Sequence, residues 1–349
     1  MPIDRIGWDI GGAHLKAAAL EGGRIVAVTQ EPCPLWLGLE HFHTAAKTIL
    51  QAWQPAPQCR HAVTMTGELV DLFANREEGV FSLLVALGSH VPAANIRVFA
   101  GSEGFLPAES VRPENVPAIA SANWLATGHY AASAIPEGLV IDVGSTTTDL
   151  LVLSEGKVLT LGLTDFERLR HGELVYTGAV RTSLMALAHT APFEGEWIGV
   201  MAEHFATTAD VYRLTGELPG HADQSATADG GDKSLTAGAR RIARLLGRDL
   251  ESAESDAWKR LAGYFRERQL ARLAEACLRQ TSRGLLETQA PFIGAGVGRF
   301  LVPELARRLG HPYLDFADLF PMHSLPAGFH LADCAPAVAV ACLERQACE

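Results

Sequence analysis

Along the first 135 residues, short apolar runs alternate with amphipathic stretches. Runs at 4–9, 15–20, 24–29, 61–65 and 96–99 suit strands, and the spacing at 39–53, 78–88 and 115–133 predicts helices between them. The Pro and Gly of "SAIPEG" then punctuate the chain, and the alternation restarts at Leu139. Strands are predicted at 139–142, 148–153 and 157–161, followed by irregular sequence and helices at 201–214, 235–247 and 256–288. "APFIGAG" reads as another strand, "RFLVPELARRLG" as a helix, "HPYLDF" as a short strand and the stretch from Ala335 as a last helix. The fold class expected is therefore α/β in two domains, 1–134 and 135–334, with the helix at 335–349 able to pack back on the first.

Composition narrows the partners. With 349 residues and 48% hydrophobic content, the chain can fill two ordinary cores. The net charge is -11, and the Arg groups at 240, 241, 244 and at 266, 268, 272 lie among acidic residues on helical patterns. They read as solvated helix faces, so no nucleic-acid partner is expected. "MPIDRIGWDI" shows no basic region ahead of a long apolar run, and no segment approaches the roughly 18 apolar residues of a membrane span. A soluble, cytoplasmic protein without a membrane partner is expected, its oligomeric state left open. Cys33, Cys59, Cys277, Cys334, Cys342 and Cys348 form no C-x-x-C pair, which argues against zinc-ribbon and redox motifs and for reduced thiols.

The chemistry begins with a repeat. "RIGWDIGGAHLKAAAL" and "GLVIDVGSTTTDLLVL" are each a strand ending in Asp, a turn on Gly plus a small residue, and a second strand. Asp142 and Gly144 follow Asp9 and Gly11 by the same 133 residues, so the two units align without a gap. Gly at such a turn lets the backbone approach a ligand, and successive N–H groups form a concavity suited to an anion. An Asp at each strand end suits a hydrated divalent cation that neutralises a diphosphate. Ordinary hairpin turns also favour Asp and Gly, and strands favour threonine, but two copies in register point to phosphate.

A third element, "PFIGAGVGRFLVPELARRLG", joins a strand and a helix through Gly294, Gly296 and Gly298. A Rossmann fingerprint is the rival reading, with Asp315 at the distance of a ribose-binding acid. It fails because the third glycine of G-x-G-x-x-G would fall at Arg299.

In order, "WDIGGAHLK", "IDVGSTTTD" and "FIGAGVG" resemble the phosphate-1, phosphate-2 and adenosine motifs of the actin, sugar-kinase and Hsp70 superfamily. "DVGSTTTDLLVL" is most similar to its hydantoinase/oxoprolinase branch. "TMTGELVDLF", "YTGAVRTSLMAL", "EHFATTADVYRLTGELP" and "TADGGDKS" resemble small members of that branch found with tetrahydromethanopterin-linked one-carbon transfer and assigned to methanofuran or methylofuran biosynthesis. The resemblance implies two actin-like (ribonuclease H-like) domains. It makes Asp9, Gly11, Gly12 and Ala13 the first phosphate loop, Asp142, Gly144, Ser145, Thr146 and Thr147 the second, and Gly294, Gly296 and Gly298 the adenosine-side turn. Asp9 and Asp142 would hold Mg²⁺. In the first loop Ala13 and Lys16 replace a hydroxyl and a carboxylate usual in hydantoinases. A lysine at that offset resembles the first loop of actin, where its ammonium faces the phosphates, though an exposed strand lysine is the plain alternative.

For this group the resemblance implies an ether-forming condensation, in which an aminomethylfuran-methyl diphosphate meets the phenol of γ-glutamyltyramine and diphosphate leaves. The substrates would be that small-molecule diphosphate and a phenolic amine. The catalytic set is then Asp9, Lys16, Asp142 and Glu68, the last in "TGELVD" as the acceptor of the phenolic proton or else a helix first-turn acid. The superfamily's usual chemistry is the alternative: an ATP-dependent kinase or amide hydrolase, with ATP or ADP in the cleft, or a non-catalytic nucleotide-dependent module. Other residues rank lower. His41 and His43 stand at a spacing that does not face one ligand on a helix. His14 suits a phosphate contact or a structural role, Asp229 and Lys233 a substrate flap or a flexible connection, and Arg181 a substrate carboxylate or a neighbouring acid.

Overall fold

The computed structural model describes residues 2–320 and 328–348. These form two compact units, one holding residues up to 137, 153–159 and those from 315 onward, the other 138–152 and 160–314.

The first unit opens with β1 (Arg5–Ile10), β2 (His14–Glu21) and β3 (Arg24–Pro32), then α1 (Leu39–Trp53), β4 (Arg60–Met65), α2 (Arg76–Gly88), β5 (Ile96–Phe99), β6 (Phe105–Pro107), α3 (Val116–Ile119) and α4 (Asn123–Ala134). Its sheet runs β3-β2-β1-β4-β5-β6. β1 is antiparallel to β2 and parallel to β4. A central strand has both faces covered, and Ile6, Trp8 and Ile10 on one face of β1 are fully buried. Phe42, Ala45, Ala46 and Ile49 form the buried stripe of α1.

The helix predicted at 115–133 is in fact α3 and α4, separated by a break at Ser121, whose φ is 52°. A non-glycine residue in the left-handed region costs about 1–2 kcal/mol, and a tertiary contact described below holds it there.

The second unit contains β7 (Gly138–Val143) and most of β8 (Thr148–Ser154). After the two-residue β9 (Lys157–Val158) come α5 (Asp165–His171), β10 (Leu174–Val175), β11 (Thr190–Phe193), β12 (Glu196–Gly199), α6 (Thr208–Thr215), α7 (Leu235–Arg244), α8 (Ser255–Thr281), β13 (Phe292–Ala295), α9 (Val302–Leu309) and β14 (Tyr313–Asp315). The sheet order is β10-β8-β7-β13-β14, with β13 parallel to β7. Thus β7 repeats the setting of β1: a hairpin partner on one side and a parallel strand on the other.

Three sequence expectations are corrected in this stretch. The strand at 157–161 stops at Val158, because the Leu161 and Gly162 N–H groups donate to the buried Glu173 carboxylate (2.7 and 3.1 Å) instead of to a strand. The helix at 201–214 begins only at Thr208, where Thr207 and Asp210 form a capping box. The Arg groups are not all solvated: Arg241 is 6% exposed, and its guanidinium lies against Asp210, with Nη2 to Oδ1 at 2.7 Å.

The chain ends in α10 (Ala335–Gln346), which packs within the first unit on β1, β4 and α4. Gly7 of β1 permits this, since a Cβ there would collide with the Ala337 carbonyl. At the far end of α10, buried Glu344 accepts from Arg5 and from Arg60 (2.9 Å), tying the helix to the sheet. Among the described residues no helix is long and apolar enough to cross a membrane. Cys33 and Cys277 are buried free thiols pushed up to about 12 by desolvation, far from a reactive thiolate.

Candidate functional site

The two hairpin turns are built by the same hydrogen bonds. In the first, the Gly11 N–H donates to the His14 carbonyl (3.0 Å) and the Gly12 carbonyl accepts from the Leu35 N–H (3.0 Å). In the second, the Gly144 N–H donates to the Thr147 carbonyl (2.9 Å), and the Ser145 carbonyl accepts from Val180 N–H (3.1 Å) and Arg181 N–H (2.8 Å). The Gly11–His14 and Gly144–Thr147 bonds correspond at both ends under the 133-residue offset, and the Gly12 and Ser145 carbonyls correspond as acceptors although their donors do not. In addition the Ala13 carbonyl accepts from Cys33 N–H, and the Gly144 carbonyl from Ala179 N–H, both at 2.9 Å.

These bonds aim the loops. In a trans peptide the C=O and N–H point in opposite directions. With the Gly144 and Ser145 carbonyls drawn back onto 179–181, the N–H groups of Ser145 and Thr146 face the other way. Likewise the Gly12 carbonyl, held by Leu35, turns the Ala13 N–H outward. Among the described residues none of these three N–H groups donates to a main-chain carbonyl. Successive outward amides on a partly exposed turn such as Ser145–Thr146 make a concavity of the kind that suits an anion. Gly178 allows the close backing of the second loop, because a Cβ there would stand 2.5 Å from both the Ser145 carbonyl carbon and the Thr146 nitrogen.

Within the first unit, Asp9 is next to last in β1 and is 3% exposed. It lies opposite Lys16 in the strand register, which puts both side chains on one face, with Lys16 Nζ 4.0 Å from Asp9 Oδ2. Asn123, first residue of α4, donates from Nδ2 to Asp9 Oδ1 (3.3 Å). Glu68 sits on a short 3₁₀ turn against the same loop: the Thr66 N–H donates to the Ile10 carbonyl, and a Cβ on Gly67 would lie 3.0 Å from that oxygen. Its carboxylate is buried and accepts from Ser121 Oγ at 2.8 Å. That bond is the tertiary contact that holds the helix break at Ser121. His14 is buried, and its carbonyl is what it contributes to the turn.

Within the second unit, Asp142 is next to last in β7 and is 8% exposed. The Gly-rich turn of residues 294–298 is pressed against it. Gly296 has a φ of 78°, and a Cβ there would fall on Asp142 Oδ1 and the Val143 carbonyl. The Gly298 N–H donates to that same carbonyl at 2.8 Å. Asp149, in the run of hydroxyls and carboxylates after the loop, instead pairs with buried Arg168 at 2.8 Å. Among the described residues no three His, Cys, Asp or Glu side chains gather around a metal position. Without such a cluster, a buried carboxylate such as Asp9 or Asp142 would suit a cation that keeps most of its water, as Mg²⁺ does.

Other candidates acquire structural roles. Asp229 approaches Arg241 at 3.3 Å, and Lys233 Nζ donates to the Asp223 carbonyl (2.9 Å) and lies 3.3 Å from its carboxylate, so "TADGGDKS" is tied to α6 and α7 rather than hanging as a flap. His43 Nδ1 meets His90 Nε2 at 2.9 Å. Sequence reasoning missed Asn123, Ser121, Thr177, Gly178 and Gln269. Gln269 left one signal, since it interrupts the apolar stripe Ala262, Phe265, Leu273 of α8.

Residues 60–336 match the hydantoinase/oxoprolinase family. The chain is similar to a protein of Methanocaldococcus jannaschii named (4-{4-[2-(gamma-L-glutamylamino)ethyl]phenoxymethyl}furan-2-yl)methanamine synthase, with 29% identity over 259 residues, 73% of this chain and 75% of that one. A protein of the same name from Methanococcus vannielii is 32% identical over 118 residues, 34% of this chain and 53% of that one. Among solved structures, nucleotide-free acetone carboxylase aligns with a TM-score of 0.58 and 10% identity, covering 97% of this chain and 70% of that chain, a likeness of fold.

Proposed function

This chain belongs to the hydantoinase/oxoprolinase family, and from that premise we propose that it is a transferase that joins an aminomethylfuran-methyl diphosphate to γ-glutamyltyramine and releases diphosphate. The observation that carries the reading is the pair of turns closed by equivalent Gly11–His14 and Gly144–Thr147 hydrogen bonds, the first presenting the Ala13 amide and the second those of Ser145 and Thr146, each beside a buried Asp. The names of the two methanogen relatives support it, because they describe a furan-methanamine linked to a glutamylaminoethyl phenol through a phenoxymethyl bridge. The bond to be made in such a product is the ether between the furylmethyl carbon and the phenol oxygen.

In this reaction the furylmethyl carbon–oxygen bond to diphosphate breaks, and its electron pair leaves with the diphosphate. A phenol oxygen lone pair forms the new bond, and the phenolic proton passes to a carboxylate. The furan ring spreads positive charge at the reacting carbon, so the demanding task is to stabilise the departing anion. Each turn carries donors suited to that task, the Ala13 amide and the Lys16 ammonium in the first unit and the Ser145 and Thr146 amides in the second, and Glu68 is assigned the proton. Asp9 in its unit and Asp142 in its own would each suit Mg²⁺ held through water, an ion that would neutralise charge on the leaving group.

The test is to incubate the purified protein with Mg²⁺, γ-glutamyltyramine and the aminomethylfuran-methyl diphosphate, without ATP. Aryl ether seen by mass spectrometry, with one diphosphate released per ether, is the expected result. Stoichiometric ATP consumption during turnover would replace this reading with that of an ATP-dependent kinase or hydrolase.

A further inference from the structure

We propose that Gln269, in the middle of α8, is a positioning residue that sets the aim of the 144–147 loop. This rests on the reading of that loop as the seat of a phosphate-bearing ligand. Gln269 is fully buried in an apolar stripe, where an unpartnered amide would be penalised for its lost water and a leucine would pack without that penalty. Its hydrogen bonds explain its presence. Nε2 donates to Thr177 Oγ1 (2.9 Å) and to the Gly178 carbonyl (2.8 Å), while Oε1 accepts from the Tyr212 hydroxyl. The arrangement is unambiguous, because the Gly178 carbonyl can only accept and must face the amide nitrogen. Burial pushes the Tyr212 phenol upward, so it stays a donor.

Gly178 is the point at which the segment 177–182 touches the loop. Its carbonyl also accepts from Thr208 Oγ1 (2.9 Å), and its N–H donates to Thr182 Oγ1 (2.8 Å). The next three residues then supply the N–H groups that draw back the Gly144 and Ser145 carbonyls. A chain of hydrogen bonds therefore runs from Tyr212 on α6, through Gln269 on α8 and Gly178, to the peptide planes of Ser145 and Thr146. Gln269 never meets the ligand. It fixes the segment that fixes the amides.

The experiment uses the full chain as wild type, Gln269→Leu and Tyr212→Phe, titrated calorimetrically with magnesium inorganic diphosphate and, separately, with magnesium ADP. Loss of the two donated bonds should weaken the ligand that wild type binds by about tenfold or more in Gln269→Leu, and by about threefold in Tyr212→Phe, which removes only the hydroxyl that orients the amide. In turnover, the KM for the diphosphate substrate should rise while that for the phenol stays unchanged, a split that general destabilisation would not produce. Affinity within twofold of wild type in folded Gln269→Leu, even with a lowered melting temperature, overturns the proposal. Should Gln269→Leu fail to fold, an unchanged affinity in Tyr212→Phe does the same. Wild type binding ADP and not diphosphate would sink the condensing reading alone, with Gln269 then judged on ADP. Wild type binding neither sinks both.

Discussion

Gly178→Ala is the most direct test of how the second loop is held. The added methyl would stand 2.5 Å from the Ser145 carbonyl carbon and the Thr146 nitrogen, where ordinary contacts begin near 3.4 Å. One side must retreat by roughly 1 Å. Residue 178 is anchored by Gln269, Thr182 and Thr208, so the partly exposed turn is the side that yields. The φ of Gly178 is not positive, which makes the effect one of space and not of backbone strain. Misplacing a catalytic donor by about 1 Å costs on the order of 10²-fold, and losing an oxyanion donor altogether costs about 10²–10³-fold. The variant should therefore lose about 10²–10³-fold in kcat for the diphosphate substrate, with a stability loss of about 1–3 kcal/mol from overpacking. Steady-state kinetics and thermal unfolding measure the two separately. Gly263→Ala on α8 is the control, because its Cβ would meet nothing within 4 Å and should add about 1 kcal/mol of helix stability without touching activity. If folded Gly178→Ala turns over within threefold of wild type, the outward amides of Ser145 and Thr146 are not the catalytic donors.

Lys16→Met should slow ether formation by about 10²-fold with little change in the KM for the phenol, as a single-turnover assay would read; an unchanged rate would make Lys16 only the cross-strand partner of Asp9. Asp9→Asn and Asp142→Asn should each fold normally and lose Mg²⁺-dependent turnover, and full activity in both would leave these carboxylates serving the turns alone. Arg241→Leu should destabilise the protein by about 3 kcal/mol in urea denaturation, because it strips the main counter-charge from buried Asp210 and leaves it with Arg213 at 3.1 Å. His61 supplies a pH dependence. Burial holds its imidazole down at about 4, and Nδ1 accepts from Trp8 Nε1 at 3.1 Å. The unfolded chain binds the extra proton between that value and about 6.5, so His61 stability is fully present above pH 6.5 and is lost as pH falls toward 4, by up to about 3 kcal/mol. Denaturation midpoints at pH 4.5 and 7 should differ less in His61→Gln than in wild type; an equal difference would assign the acid sensitivity elsewhere.

What the sequence determined by itself was whatever rests on neighbours along the chain. Helix α1 spans 39–53 as its periodicity requires, and the last helix starts at Ala335. The 133-residue repeat already located both turns, because Asp and Gly identities specify a hairpin locally. Tertiary structure decided the rest. No local rule breaks a helix at Ser121, since the strain there is held by a carboxylate 53 residues away. Arg241 reads as a solvated charge until Asp210 is folded against it. The loops have the composition to bind phosphate from sequence alone, yet the direction of their amides depends on which distant segment takes the carbonyls. For Gly12 that is Leu35, and for Ser145 it is Val180 and Arg181, backed by a glutamine from another helix. A peptide plane has no preferred facing until a buried partner claims one side of it, and in this chain those partners arrive only with the packed core.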